Sequence, residues 1–451
     1  MPALNSYRRL FSVSLPLVFS MAATTVMEFT DRVFLAHYAV EAIAAALPAG
    51  IAAFLVLTLF TGVTGYLNVF VAQYTGAGAD HQIGRCLWQG IYFSMLAAVI
   101  LIGVSLGAAR IFQWGGHPPE VQALERVYFR ILCLGGGVNV LGTCLAGFFT
   151  GRGQTRPVLL INCIGMVVNI PLDYALINGV WIFPELGIRG AGIATVCAWA
   201  VIALLFAGLI FERGHERRYG VFSQRAFDAE LFVRIIRKGG PAALQFTLDV
   251  LAFTFFVFMV GRLGKTALAV SNIALSIQSI AFMPAFGFSM GLSTLVGQAL
   301  GRNDAAAARR FTRQTIHVLL IYTLLLGGVF FIFPHKLIGL FGMGSVDGAA
   351  RLQLLDQGMV VLRIMALFIA FDALYFTFIG TLKGAGDTRF IMASIGLATL
   401  FVMVLPLSAI VTLTDWGLYA CWINLTLYVL TLFAVSFWRY RQGRWKNIRV
   451  V

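Results

Sequence analysis

Five carboxylate side chains lie inside long apolar segments of this chain, where an isolated charge is unfavourable. They are Glu28, Asp31, Asp173, Asp249 and Asp372. A charged residue in the middle of a bilayer is costly, so such residues usually face a cavity or a partner. The chain has only 19 acidic residues, so five in apolar segments indicate the binding of a cation or a proton. For Asp173 the alternative is a position near a helix end, with the carboxylate reaching the membrane interface.

Asp372 is the single charged residue of the stretch LFIAFDALYFTFIG, residues 367–380. The preceding charge, Arg363, is nine residues away, which in a helix places it on the opposite face and roughly 13.5 Å distant. A counter-charge for Asp372 must therefore come from another helix, a bound cation or a proton. Such a carboxylate can hold an inorganic cation, a proton or an organic cation in turn, which is the chemistry of a coupling site.

Other polar and aromatic residues of the apolar segments are candidates for contacts with a cargo molecule. Glu28 and Asp31 are three residues apart and share a helix face. Aromatic rings near Asp372 could bind a flat cation, and amide side chains could line a cavity, although packing and helix–helix hydrogen bonding are the alternatives. These candidates are Phe368, Tyr375, Phe376, Gln245, Asn272 and Gln278, with Asn169 as a candidate ion ligand.

The elements that carry these residues are predicted to be membrane-spanning helices. The chain is 59% hydrophobic and 12% charged, whereas soluble domains have about 25% charged residues. A helical span needs roughly 20 apolar residues, and this rule predicts an all-α polytopic membrane protein with twelve spans. The predicted spans are 11–36, 47–73, 87–109, 123–147, 156–178, 188–211, 234–261, 267–297, 314–334, 356–382, 389–413 and 416–438.

A polar break at 212–230 divides the spans into six plus six. The predicted parts are an amino-terminal lobe (1–211), a cytoplasmic linker (212–233), a carboxyl-terminal lobe (234–438) and a basic tail (439–451). A shift of 225 residues superimposes rare residue types of the two halves, placing Pro16 on Pro241, Gln73 on Gln298 and Gly76 on Gly301. Parallel repeats predict two pseudo-symmetric six-helix bundles with a binding cleft between them. Pro16, near the start of the first span, is a candidate hinge.

The basic residues predict the orientation in the membrane. The loops on the side of both termini hold 23 Lys and Arg residues and the opposite loops about eight, so both termini are predicted to be cytoplasmic. The tail is expected to lie against anionic lipid. The net charge of +14 is spread over many short loops and does not indicate nucleic-acid binding.

Other function classes fit the residues less well. An enzyme would need a paired nucleophile and base or clustered metal ligands, and the sequence indicates neither, nor any cofactor or metal beyond a coupling proton or sodium ion. A channel would need a filter-like loop. A flippase for a lipid-linked precursor stays an alternative, but it would favour a basic cavity, and Arg32 and Arg363 are the only basic residues well inside spans.

Over about residues 8–440, the chain resembles the multidrug and toxic compound extrusion (MATE) family. The motifs that carry the resemblance are PLVFSMAATTVMEFTDRVFLAHY, VAQYTGAG, GRGQTRPVLLINCIGMVVNIPLDYALING, LGIRGAGIAT, GGPAALQFTLDVLAF, GLSTLVGQALG and GTLKGAGDTR. The resemblance implies twelve helices in two lobes. It also implies efflux of amphipathic, often cationic drugs in exchange for protons or sodium.

The resemblance also implies roles for individual residues. Asp31 resembles the family's acid in the first helix, and Asn169 and Asp173 resemble its partners in the amino-lobe cation site of one branch. Asp249 and Asp372 resemble the acids of the seventh and tenth helices of another branch, where the seventh-helix acid is usually Glu. The chain thus carries acids of both branches, and the lobe and ion that couple stay open.

We therefore expect a cation-coupled antiporter of the bacterial inner membrane that exports small organic cations and is functional as a monomer. The sequence does not identify the physiological substrate.

Overall fold

The computed structural model describes residues 3–113, 117–339 and 348–451. Nearly all of the described chain is helical. The helices are α1 (Ala3–Tyr38), α2 (Val40–Gly65), α3 (Leu67–Ala77), α4 (Asp80–Leu106), α5 (Ala108–Gln113), α6 (Pro119–Gly151), α7 (Thr155–Asn178), α8 (Ile188–Ile210), α9 (Arg213–Tyr219), α10 (Ala229–Gly261), α11 (Lys265–Gly301), α12 (Ala305–Ile332), α13 (Pro334–Gly339), α14 (Gly348–Ala385), α15 (Thr388–Ala398), α16 (Leu405–Leu413) and α17 (Gly417–Gln442).

Twelve helical segments of the described residues are long and apolar enough to cross a bilayer. The second consists of α2 and α3, which meet at Tyr66, and the eleventh consists of α15, a π-helical turn (Thr399–Val404) and α16. The predicted fold class, an all-α protein with twelve spans, is confirmed. Most helices extend a turn or more beyond the predicted spans, because polar residues at the helix ends continue the backbone ladder outside the apolar window.

Contacts divide the chain into two compact units. The amino-terminal unit comprises Pro16–Ala243, Gly297–Asn303 and Val450–Val451. The carboxyl-terminal unit comprises the residues up to Leu15, Leu244–Val296 and Asp304–Arg449. One border falls immediately before Pro16, the predicted hinge, and another falls shortly after Pro241.

The amino-terminal unit packs α2 against α6 through small side chains. Ala42, Ala45, Ala46, Ala49 and Ala53 repeat at helical spacing and are all buried. Small residues let membrane helices approach closely, because there is no water to drive their association. The core around these alanines continues through Phe112, Phe129, Leu132 and Ile188.

The segment that follows α8 is bound to the amino-terminal unit. Buried Gln89 of α4 donates to the Ala226 carbonyl (3.0 Å) and accepts from the Asp228 N–H (3.1 Å). Trp88 Nε1 donates to the Val221 carbonyl at 2.7 Å. The Glu216 carboxylate accepts from the N–H of Phe222 at 2.6 Å, and this bond contributes most to holding the pKa of Glu216 below its ordinary value.

The carboxyl-terminal unit is held together by polar contacts between spans. Thr312 Oγ1 lies 2.9 Å from Thr381 Oγ1, and Trp422 Nε1 donates to Ser271 Oγ at 3.0 Å. At the end of α17, Arg439 Nε donates to Asp387 Oδ2 at 2.7 Å. These contacts link α11, α12, α14 and α17 around the carboxylates described below.

Candidate cation sites

In the amino-terminal unit, α1, α7 and α8 bring three of the predicted site residues together. Asp31, Asn169 and Asp173 are all buried, and the carboxyl groups of Asp31 and Asp173 lie close enough to interact. Thr195 of α8 joins them, since its Oγ1 donates to Asp31 Oδ2 at 3.2 Å. Asp173 is therefore part of a buried cluster and does not reach out from a helix end.

This cluster has more buried polar atoms than hydrogen bonds. Among the described residues, Asp31 Oδ1, both carboxylate oxygens of Asp173 and both amide atoms of Asn169 have no hydrogen-bond partner. Buried polar groups are nearly always paired, so each exception needs an explanation. Three carboxylate oxygens, one amide oxygen and a nearby hydroxyl form a set that suits a hard cation, or a proton shared by the two carboxyl groups.

Local sequence places these side chains. Asn169 and Asp173 are four residues apart and share one face of α7. A Cβ on Gly190 would lie 2.5 Å from the Leu176 backbone, so only glycine lets α8 approach α7 this closely. That approach brings Thr195, further along α8, to Asp31.

Two further ionisable groups surround the cluster. Tyr128 of α6 is buried within electrostatic range of Asp31 and Asp173. Glu28, a predicted cargo contact, is exposed and interacts electrostatically with Arg32 and Asp31. Arg32, expected to point elsewhere, is thus a neighbour of both acids.

In the carboxyl-terminal unit, α10 and α14 bring Asp249 and Asp372 within electrostatic range of each other. Asp249 Oδ2 accepts from Gln245 Nε2 at 2.7 Å, while Gln245 Oε1 has no partner among the described residues. Asp372 is buried, and its neighbour from another helix is a second acid. Two close carboxylates repel when both are ionised, so this pair favours a bound cation or proton.

Lys383 is a member of this site that sequence reasoning missed. It lies in the last turn of α14 and was counted among the loop charges, yet it interacts electrostatically with Asp249. Its position 11 residues after Asp372 corresponds to about three helical turns, a periodicity that could have indicated the shared face.

The predicted cargo contacts near Asp372 divide into two kinds. Tyr375 is buried and interacts electrostatically with Asp249 and Asp372. Phe368 packs edge-on against Phe253, with ring centroids 6.4 Å apart, and Phe376 packs edge-on against Phe282 at 5.1 Å. The two phenylalanines therefore have the packing role that was the alternative.

The predicted amide contacts on α11 differ in environment. Gln278 is buried, whereas the Asn272 side chain is exposed. Ser271, the residue before Asn272, faces the core through its bond with Trp422. Within the described part of the chain, no group of three or more His, Cys, Asp or Glu residues could hold a metal ion.

Comparisons with known proteins agree with this architecture. Residues 16–175 and 241–408 match the MatE family model. A probable multidrug resistance protein NorM of Thermotoga maritima is 25% identical over 98% of this chain and 94% of its own length. The multidrug resistance protein NorM of Burkholderia vietnamiensis is 28% identical over 83% of this chain and 80% of its own length.

Solved structures show the same fold. An outward-facing multidrug resistance MATE family transporter superimposes with a TM-score of 0.85 and 19% identity, over 97% of this chain and 96% of its own. A MOP superfamily transporter from Pyrococcus furiosus gives a TM-score of 0.86 and 18% identity, over 98% of this chain and 97% of its own. The two stretches that match the family model together cover well over half of the chain. The chain therefore belongs to the multidrug and toxic compound extrusion (MATE) family, whose members are transporters and not enzymes.

Proposed function

We propose that this protein is a cation-coupled antiporter that exports amphipathic, often cationic drugs and toxic organic compounds by alternating access. Its relatives named as multidrug resistance proteins support the class of cargo. The observation that carries the coupling is the presence of two buried carboxyl clusters, one in each unit. In each cluster, two acids lie close enough to interact.

The physical basis of coupling is competition for the same negative charge. In the amino-terminal unit, Asp31 and Asp173 with Asn169 and Thr195 would bind the coupling cation. In the carboxyl-terminal unit, Asp249 and Asp372 with Gln245 and Tyr375 would bind a coupling cation or the charged group of the cargo. A cation or proton that neutralises a carboxylate removes its attraction for a cationic cargo, so loading from outside promotes release of the drug outward. Both sodium and protons satisfy this requirement.

The test is dye efflux from cells that express Asp31→Asn or Asp372→Asn. Asparagine keeps the size of the side chain but removes its charge, so we expect each variant to lose most cation-dependent efflux. Asp415→Asn is the matched control, because Asp415 is exposed in the loop between α16 and α17, and it should export like the parent protein.

One outcome would sink the proposal. If Asp31→Asn and Asp372→Asn both transported fully, with the sodium and pH dependence of the parent, neither cluster would couple. Loss in one variant alone would assign the coupling to that unit.

We further propose that the protein resides in the bacterial inner membrane as a functional monomer with both termini in the cytoplasm. The twelve spans and the bacterial relatives support the membrane, and the basic loops support the orientation.

A further inference from the structure

The eleventh span contains a π-helical turn, Thr399–Val404, between α15 and α16. At its end the Leu405 N–H donates to the Leu400 carbonyl, five residues earlier instead of four. Turns of this type are rare inside α-helices and occur frequently at functional sites. The turn therefore requires a local cause and a comparison with the site nearby.

The sequence supplies the cause. Pro406 has no N–H, so it cannot donate to the Val402 carbonyl four residues before it. Asn424 of α17 replaces the missing donor, since its Nδ2 lies 2.9 Å from the Val402 oxygen. Asn424 is buried, so this bond satisfies a carbonyl that has no access to water.

A second residue of α17 binds the start of the same turn. The Tyr428 hydroxyl lies 3.0 Å from Thr399 Oγ1. Tyr428 follows Asn424 by four residues and therefore shares its helix face, and its side chain is 1% exposed. Two polar side chains of one helix thus hold the π-helical turn at both ends.

This arrangement lies beside the acid pair of the carboxyl-terminal unit. Gly396, one helical turn before Thr399, faces Leu248, and a Cβ on Gly396 would be in ordinary contact with Leu248 Cδ1 at 3.8 Å. Leu248 immediately precedes Asp249 in α10. Tyr428 itself is within electrostatic range of both Asp249 and Asp372. Its hydroxyl thus has two kinds of acceptor nearby, the Thr399 oxygen and the carboxylates.

We propose that Tyr428 is a positioning residue of the acid pair, whose hydroxyl hydrogen turns toward the carboxylates when they are charged and toward Thr399 when a cation or proton neutralises them. This inference rests on the proposed function. The ionisable groups that face the pair are Tyr375 and Lys383 from α14 and Tyr428 from α17. Tyr428 is thus a neutral donor that competes with the coupling cation for the carboxylate charge, whichever cation that is.

Two substitutions should change cation affinity in opposite directions. Tyr428→Phe keeps the ring and removes the competing donor, so less cation should give half-maximal efflux. Thr399→Val keeps the shape of Thr399 and removes its oxygen, so the hydroxyl should remain on the carboxylates and more cation should be needed. A hydrogen bond to a charged group corresponds to roughly a tenfold change in affinity, and we expect shifts of up to that size.

The measurement is dye efflux against sodium and pH, together with the thermal melting of the purified variants. Tyr322→Phe is the control, because the Tyr322 hydroxyl contacts only the Ala281 carbonyl (3.3 Å) among the printed partners of the same unit. Unshifted cation dependence, or shifts of both variants in the same direction, would overturn the inference. If Tyr428→Phe did not fold, Thr399→Val would still test it.

The same assay separates this inference from the proposed function. If Asp372→Asn kept its cation dependence, the acid pair would not couple and the function proposal would fail. If Asp372→Asn lost that dependence while Tyr428→Phe left it unshifted, only the role of Tyr428 would be refuted.

Discussion

At the amino-terminal site, one hydroxyl group connects a buried carboxylate to a third helix. Thr195 Oγ1 donates to Asp31 Oδ2 and lies 3.0 Å from the Ala191 carbonyl of its own helix. The second contact fixes the position of the oxygen, because it is the usual bond of a threonine within a helix. The oxygen is therefore placed both to orient Asp31 and to bind a cation held by Asp31 and Asp173.

We predict that Thr195→Val weakens the cation affinity of the amino-terminal site. Valine has the same shape but no oxygen, and losing a hydrogen bond to a charged group costs about 1.5–3 kcal/mol. The concentration of sodium or protons that gives half-maximal efflux should therefore rise roughly tenfold or more, if this site couples. Thr195→Ser, which keeps the oxygen, is the control. Equal cation dependence in both variants would mean that the coupling ion binds elsewhere.

The sequence revealed the acids of both sites but not their neutral partners. Asp31 and Asp372 stand out because a carboxylate in an apolar run is chemically anomalous. Thr195 and Tyr428 do not, since hydroxyls in spans usually bond within their own helix and aromatic residues usually pack. Their roles depend on contacts between helices that are far apart in the chain, and no spacing rule within one helix indicates them.

At the scale of elements, the segment after α8 is a bound strap and not a free linker. Gln89 binds the backbone at Ala226 and Asp228, and Asp228 Oδ1 then accepts from the Leu231 N–H at 3.0 Å, in the first turn of α10. Arg152 of the amino-terminal unit stacks over the Phe148 ring, 3.8 Å from its centroid, beside the short helix α9. The start of the seventh span is therefore fixed to the amino-terminal unit.

We predict that Gln89→Leu releases this strap without unfolding the spans. Leucine fills the same buried space but leaves the Ala226 carbonyl and the Asp228 N–H unpaired, which costs about 1–3 kcal/mol each. Trypsin should then cut the arginine-rich strap at least about tenfold faster in detergent solution, yielding two large fragments. Gln442→Leu, at the exposed end of α17, should be cut at the parent rate. If both variants were cut alike, Gln89 would not hold the strap.

Sequence reasoning located the spans better than the irregular features within and between them. The apolar length of a helix is set by the bilayer, so a ruler of about 20 residues finds each span. The π-helical turn depends on Pro406 and Asn424, which lie in different helices, and only their contact reveals it. Likewise, the border before Pro16 is visible only from contacts, because α1 itself is continuous from Ala3 to Tyr38.

At the scale of the whole molecule, the sequence repeat has a structural counterpart. The family model matches from Pro16 and again from Pro241, the same pair that a shift of 225 residues aligns. The aligned residues Gly76 and Gly301 also occupy matching environments. A Cβ on Gly76 would lie 2.2 Å from the Gln298 carbonyl oxygen, and one on Gly301 would lie 2.1 Å from that of Gln73. Reciprocal close contacts of aligned residues are what a duplicated six-span unit produces.

The orientation of these repeats leads to the last prediction, that both termini and the strap lie in the cytoplasm. Seven Lys and Arg residues between 213 and 238 and five after 438 would have to cross the membrane in the opposite topology, and basic loops resist translocation. The prediction can be tested in a variant without the six native cysteines, to which single cysteines are added by Trp181→Cys, Gln224→Cys or Gln442→Cys. Trp181 is exposed between α7 and α8, on the predicted outer side. A membrane-impermeant maleimide should therefore label cysteine at position 181 in intact spheroplasts and cysteines at 224 and 442 only after lysis. The reverse pattern would invert the topology, and labelling of 224 and 442 on opposite sides would contradict an even number of spans between them.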